Sequence, residues 1–303
     1  MNSFARPSTT TVAFAVDENY CLPLTVAWQS LRDCAPDLVP ALDVRVLHTG
    51  LSGASLRRLT GHAARLGICV RFHHVHLPVM EYPVAFGGAH ANYLRMLLPR
   101  VLPEVGRVLY LDSDLLVLGD LREVLDTDLR GSCIGAVRDP VNPAYRFGKA
   151  MPGWVELGIP GDREYFNSGL MLIDLDRSRE EGFFERGFVF VEEYPQHIRL
   201  WDQDALNWAA DDRWERFPAE WNAFPFSALN RTPWVRYTAE DLMPMGRLLD
   251  AEVGARVLHY ASPAKPWMGL LPSGRASSLY HEYLDPVLSA DGTPREQLTK
   301  GTQ

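Results

Sequence analysis

The chain reads as an α/β domain built on a mostly parallel central sheet, with an irregular C-terminal lobe. Three observations carry that reading. Apolar runs of strand length alternate with stretches of helical periodicity between residues 11 and 75. The run at residues 107–111 is apolar enough to lie in the middle of a sheet. From Trp214 onward, Trp and Pro become frequent and clean periodicity is lost. A chain of 303 residues that is 47% hydrophobic and 22% charged suits a globular unit of this kind.

Residues 11–16 (TVAFAV) form the first strand and end in Asp17-Glu18-Asn19-Tyr20. Leu22, Leu24, Ala27, Ser30 and Leu31 then recur at helical spacing until Asp37 and Pro40 stop the pattern. A second strand follows at 42–47. Ser52 is placed to cap a helix carrying Leu56, Leu59, Ala63 and Leu66, and Gly67 to end it. A third strand spans 68–75, and this alternation is what βαβ units on a parallel sheet produce. Residues 77–91 contain Pro78, Pro83, Gly87 and Gly88 and read as a loop long enough to be functional. A helix at 91–98 leads into the strand at 107–111, which stops abruptly at Asp112-Ser113-Asp114 before a second apolar stretch at 115–118. A strand at 133–137 precedes an irregular stretch, 139–164, and the sheet resumes at 165–174. Helices are expected at 177–193 and 203–210, and a last short strand at 255–259. No repeat, low-complexity tract or linker divides the chain, so a single domain is expected.

With 30 basic and 38 acidic residues the formal net charge is -8, and no basic run is present. That argues against a protein that tracks a phosphate backbone. No apolar run approaches the ~18 residues that mark a membrane span, and the opening MNSFARPSTT lacks the layout of a secretory signal. Cys21, Cys34, Cys69 and Cys133 form no CxxC pair, so buried free thiols in a reducing compartment are expected. These bounds point to a cytoplasmic enzyme acting on small molecules, with no nucleic-acid partner and no strong membrane association. Oligomeric state is left open. Only Lys149, Lys265 and Lys300 are lysines, so a Lys in a functional setting stands out.

The strongest local signal is Asp112-Ser113-Asp114 at the carboxyl end of an apolar strand, where open α/β sheets place ligands. Two carboxylates bracketing one residue can converge on a hard divalent cation; taken alone, the same triplet equally marks a solvated turn. Unpaired buried charge is costly, so carboxylates ending a buried strand call for something that neutralises them, and a metal carrying a diphosphate would do so. His259 also follows an apolar run, with Lys265 six residues on and Pro263 and Pro266 stiffening the turn. By itself His259 is equally a satisfied core residue. An imidazole beside two carboxylates suits Mn²⁺ better than Mg²⁺.

Six blocks now carry a resemblance: residues 14–20 (FAVDENY), 92–95 (NYLR), 108–114 (VLYLDSD), 166–169 (FNSG), 202–207 (DQDALN) and 259–267 (HYASPAKPW). Together, and in this order, they make the chain resemble the retaining glycosyltransferases of family 8, the group of glycogenin and the bacterial lipopolysaccharide galactosyl- and glucosyltransferases. The resemblance implies a GT-A type, Rossmann-like domain. It also implies a nucleotide-sugar-binding half at 11–139, an acceptor and donor-sugar half at 140–270, and a tail at 271–303. By the same resemblance Ala15, Asp17, Asn19 and Tyr20 hold the base and ribose of the nucleotide. Asp17 suits the imide N–H of uracil and Tyr20 the face of its ring. Asp112, Asp114 and His259 hold Mn²⁺, with Mg²⁺ as a possible substitute. Ser113, Ser262 and Lys265 belong with the diphosphate, and Arg95 with the diphosphate or the donor sugar. Asp139, Asn167, Ser168, Asp202 and Gln203 line that sugar. Read without the resemblance, residues 167–169 are also a strand-entry turn, and residues 202–204 an acidic helix start favoured by the helix dipole.

The expected reaction is transfer of glucose or galactose from a UDP-sugar to a soluble sugar or natural-product acceptor. Lys265 and the metal would stabilise the departing diphosphate. Gln203 is too weak a nucleophile to make a covalent intermediate attractive, and Asp202 is the carboxylate alternative. Front-face attack, with Gln203 stabilising the developing positive charge, is therefore favoured. Ser262 stands where this family often has Gly. The tail from Ser273 to Gln303 carries no marked basic excess, which does not favour an anionic lipid surface. Acceptor choice is expected in residues 77–91 and 214–237. There Trp214, Trp221, Phe224, Phe226 and Trp234 suit either a sugar platform or plain core packing. Two other readings compete: a metal-dependent nucleotidyltransferase, which would want a Gly-rich basic loop after the first strand, and a nucleotide-sugar-binding protein without turnover.

Overall fold

The computed structural model describes residues 10–76, 82–83, 90–147, 150–233 and 235–292. Most of the expected loop at 77–91, together with Lys149, Trp234 and Lys300, lies outside them. Nine strands are present among the described residues: β1 (Thr10–Val16), β2 (Leu42–His48), β3 (Cys69–His74), β4 (Arg107–Leu111), β5 (Leu115–Val117), β6 (Ile134–Arg138), β7 (Phe166–Asp174), β8 (Glu215–Phe217) and β9 (Val257–His259). Seven of them form one sheet in the order β3-β2-β1-β4-β7-β6-β8. β1, β2, β3 and β4 pair in parallel, as βαβ crossovers require. β7 pairs antiparallel with both β4 and β6, and β6 pairs parallel with β8. β7 alone therefore runs against the rest.

That reversal positions the site. Because β7 enters the sheet where its neighbours leave it, its first residues lie beside the carboxyl ends of β4 and β6. Leu111 is opposite Leu170, and the Asp112 amide donates to the Gly169 carbonyl at 2.8 Å. On the other side Val137 is opposite Asn167, which brings Asp139 to the same edge. A two-stranded sheet supplies the last piece. β5 pairs antiparallel with β9 so that Leu115 faces His259, and the Tyr260 amide donates to the Asp114 carbonyl at 2.9 Å. A histidine 145 residues downstream of Asp114 is delivered to it by strand register.

Apolar helix faces close the sheet. The helix Cys21–Cys34 buries Leu24, Ala27, Trp28 and Leu31 in one apolar cluster with Val12, Phe14, Val44, Leu115 and Val117. The helix Gly53–Leu66 has the expected Ser52 cap and Gly67 ending. Asp204, fully buried, fastens the irregular stretch before β7. Its carboxylate accepts from the Met151 amide (3.1 Å), the Tyr165 hydroxyl (2.6 Å) and the Arg199 and Leu200 amides (2.7 Å each).

Three expectations need correction, and the tail, for which the sequence predicts no element, adds a helix. The helix expected at 177–193 is two, Leu175–Glu180 and Phe183–Glu193, because Gly182 turns into the left-handed region at φ +61° between them. The segment at 91–98 is a 3₁₀ helix over His90–Leu97 followed by one turn at Leu98–Val101, where Pro99 lacks the amide that would continue the ladder. The tail forms a helix, Arg275–Asp291, despite Pro286 inside it; Ala276, Tyr280, Leu284, Val287 and Leu288 share one buried face. Of the cysteines, Cys21 and Cys133 are buried, but Cys34 is half-buried and Cys69 is exposed. Among the described residues no helix is long and apolar enough to cross a membrane.

Candidate active site

Asp112, Asp114 and His259 come together at the end of β4. Their ligand atoms all lie within 4.8 Å of one another, the only such group of metal-ligating side chains among the described residues. His259 Nε2 is 3.2 Å from Asp114 Oδ1 and 3.6 Å from Asp112 Oδ2. Two hard carboxylate oxygens and one imidazole nitrogen fit a divalent cation of the Mn²⁺ class. Burial pushes the Asp114 carboxyl up, but Lys265 and His259 outweigh it and hold the group well below the usual carboxylate range. The Lys265 ammonium donates to Asp114 Oδ2 and to the Tyr260 carbonyl.

The His259 ring is tightly seated. Phe224 meets it edge to face at 5.4 Å, and the Gly169 backbone lies directly against it. Its Nδ1 is 2.8 Å from Asn222 Oδ1, and Asn222 Nδ2 donates to Asn167 Oδ1 at 2.8 Å. Nothing in the sequence singles out Asn222, which sits in the aperiodic stretch 37 residues before His259.

Asn167 opens into a second set of polar side chains. Its Nδ2 donates to Asp139 Oδ2 (3.1 Å) and to Gln203 Oε1 (3.0 Å), while Gln203 Oε1 also accepts from the Ser168 amide at 3.0 Å. Gln203 Nε2 donates to Asp139 Oδ2 at 3.2 Å. Asp139, Asn167, Ser168, Asp202 and Gln203 are all buried in one network. Trp201, just before this helix start, holds φ +49° and ψ -126°, a strained conformation for a bulky residue.

Arg95 lies beneath both sets. Its guanidinium faces Asp112 Oδ1 and Asp202 Oδ2, each at 3.0 Å, donates to the Ser168 carbonyl at 2.8 Å, and covers the Tyr110 ring at 4.5 Å. Tyr110 also donates to Asp112 Oδ1 at 2.9 Å. Arg95 is thus committed to orienting two aspartates from below. Burial pushes the Asp202 carboxyl up to about 7, against the opposing pull of Arg95. A raised folded value means the folded protein holds a proton that the unfolded chain has released. Stability from this group is fully present below about pH 4 and is lost as pH rises through about 7. Asp202→Asn should therefore gain on wild type by roughly 1.4 kcal/mol per pH unit across that window, read by chemical denaturation at several pH values.

The first block lies at the end of β1, beside β4. Asp17 Oδ1 caps the turn through the Asn19 and Tyr20 amides at 2.9 and 3.2 Å. Ala15 and Tyr20 are half-buried and Asn19 is exposed. Tyr20 meets Trp267 edge to face at 5.8 Å, with the Lys265 ammonium 5.8 Å from its ring, so the first and last blocks share one rim. Ser113 and Ser262 are buried. Ser262 Oγ accepts from the Ala264 amide at 3.1 Å and so fastens the turn that leads to Lys265. The aromatic residues Trp214, Trp221, Phe224 and Phe226 are buried in the core and form no sugar platform.

Comparison with known proteins places the chain in a family. The family model for glycosyl transferase family 8 matches residues 11–270. General stress protein A of Bacillus subtilis (strain 168) is 26% identical over 262 residues, covering 84% of this chain and 86% of its own. The glycosyltransferase GlyF of Streptococcus pneumoniae serotype 4 is 26% identical over 257 residues, 84% of this chain and 56% of GlyF. The galactosyltransferase LgtC, solved in complex with donor and acceptor sugar analogs, superposes with a TM-score of 0.71 at 24% identity, over 91% of this chain and 96% of LgtC, a likeness of GT-A fold.

Proposed function

The chain belongs to glycosyl transferase family 8, and on that premise we propose that it is a retaining hexosyltransferase, moving glucose or galactose from a UDP-sugar to a soluble sugar or natural-product acceptor with Mn²⁺ bound. Glycosyl transfer follows from the family. The finer reading rests on one observation, the convergence of Asp112, Asp114 and His259 at the carboxyl end of β4.

Bound at these three side chains, the cation would supply Lewis-acid neutralisation of the charge that builds on the diphosphate. Lys265, the only lysine among the described residues, adds a second positive charge on the leaving-group side. Tyr20 and the remaining oxygen of Asp17 are the groups for the uracil ring and its imide. On the sugar side, Asp139, Asn167 and Gln203, already bonded to one another, form the polar wall that would face the donor sugar. Arg95 holds Asp112 and Asp202 in register with them.

The same contacts bear on stereochemistry. Retention requires either two inversions or attack on the face the diphosphate leaves. Gln203 Oε1 already accepts from the Ser168 amide and Asn167, which weakens an already poor nucleophile. Asp202 is buried against Arg95. With both candidates so engaged, front-face attack is the better-supported route: the departing phosphate oxygen takes the acceptor proton, and Gln203 stabilises the positive charge on the sugar. Acceptor choice is assigned to residues 77–91 and to the rim of 214–237.

The test is donor turnover. Purified protein should hydrolyse UDP-glucose or UDP-galactose slowly with Mn²⁺ and stop on addition of EDTA. Gln203→Ala should lower turnover by more than about tenfold, or 1.4 kcal/mol. Metal-independent hydrolysis, or binding with no turnover of either donor, would count against the reading.

A further inference from the structure

We infer that Asn222 is a positioning residue that fixes the tautomer of His259, holding the ring proton on Nδ1 so that Nε2 keeps its lone pair for the metal. The inference rests on the metal site proposed above. It starts from a group whose role is not adjustable, the backbone N–H of Gly169. That N–H donates at 2.9 Å to Asn167, so the atom facing it is Oδ1. From the other side Asp139 Oδ2, an acceptor only, requires Asn167 Nδ2. Two fixed points therefore agree on the orientation of the Asn167 amide.

Asn222 is set next. The group it turns toward Asn167 Oδ1 at 2.8 Å must be a donor, its Nδ2. Its oxygen is then the atom 2.8 Å from His259 Nδ1, and an oxygen acceptor there requires Nδ1–H. A flipped Asn222 would oppose two oxygens at one end and leave its NH₂ against the ring nitrogen at the other. All of these groups are buried, where an unmade hydrogen bond is costly.

The relay has a competitor to overcome. Nε2 looks at Asp114 Oδ1 and Asp112 Oδ2. In a metal-free protein those carboxylates would favour a proton on Nε2, where it would occupy the position a cation needs. Asn222 is the counterweight at the opposite ring nitrogen. Outer partners of this kind are worth about 10–100-fold in metal affinity.

The experiment has two readouts on metal-free, full-length protein at about pH 8, above the ordinary His range. Long-range proton–nitrogen NMR of ¹⁵N-His-labelled protein, assigned with His259→Gln, reports which ring nitrogen is protonated. EPR of free Mn²⁺, in the presence of UDP, reports affinity. Wild type should carry Nδ1–H. Asn222→Leu should shift the ring to Nε2–H and weaken Mn²⁺ binding by about 10–100-fold. Asn222→Asp keeps an acceptor at Nδ1 and should retain the tautomer, while its second oxygen opposes Asn167 Oδ1 and loosens the relay. Wild type protonated on Nε2 would overturn the inference, a measurement that does not depend on whether a variant folds. So would Asn222→Leu with unchanged tautomer and affinity, or Asn222→Asp shifting the ring to Nε2–H. If wild type binds no Mn²⁺ that Asp114→Asn removes, the metal reading itself fails and the inference falls with it.

Discussion

Asp114→Asn should lower kcat/KM for the UDP-sugar by about a thousandfold, roughly 4 kcal/mol of transition-state stabilisation. The substitution is nearly isosteric and leaves the Asp114 carbonyl bonded to the Tyr260 amide, so the β5–β9 register that delivers His259 is kept. What changes is charge. Asp114 is buried, faces His259 Nε2 at 3.2 Å and receives the Lys265 ammonium. An amide in its place offers one neutral oxygen where a carboxylate offered two charged ones, so the cation site loses affinity. Lys265 keeps only the Tyr260 carbonyl, and its position toward the diphosphate is loosened. Both losses fall on the leaving group, so kcat should drop with kcat/KM. Steady-state donor hydrolysis with Mn²⁺ checks this; a variant within tenfold of wild type would place the chemistry elsewhere.

Gly169→Ala carries the second large effect, about a hundredfold in activity with a similar loss of Mn²⁺ affinity. A Cβ at this position would sit 2.2 Å from His259 Cε1 and 2.7 Å from Nδ1, closer than real carbon contacts come. The ring cannot withdraw, because Phe224 and Asn222 hold its other sides and it is only 2% exposed. Either the ring tilts and Nε2 leaves the carboxylates, or β7 shifts and the Asp112–Gly169 hydrogen bond opens. Overpacking of this kind also costs about 1–3 kcal/mol of stability. Thermal melting together with Mn²⁺ titration separates the two effects. Wild-type metal affinity and wild-type stability together in Gly169→Ala would contradict the close seating of His259 on Gly169.

Particular residues show why some of this was legible in the sequence and some was not. β4 and its terminal aspartates stood out because a buried apolar run that stops at two carboxylates conflicts with the cost of burying charge. The glycine of residues 166–169 looked like a strand-entry turn, and its second use, as the floor under an imidazole, depends on a contact 90 residues away. His259 could be placed after a short strand, but the partner of that strand is set by pairing register, which composition does not encode. Asn222 left no trace because its work is done through two other side chains in a segment without periodicity. By type Arg95 suits a substrate contact; in the fold it is buried between Asp112 and Asp202 and supports both aspartates. The aromatic residues from Trp214 to Phe226 could be core or platform by type alone, and packing decided for core. The tail is legible in the sequence only by its charge, and the apolar face of the helix Arg275–Asp291 emerges from packing.

The most direct measurement is anomalous diffraction at the manganese edge from crystals soaked with UDP and Mn²⁺. The account predicts one strong peak bounded by Asp112, Asp114 and His259. UDP seated in the cleft with no anomalous signal among those three side chains would contradict it.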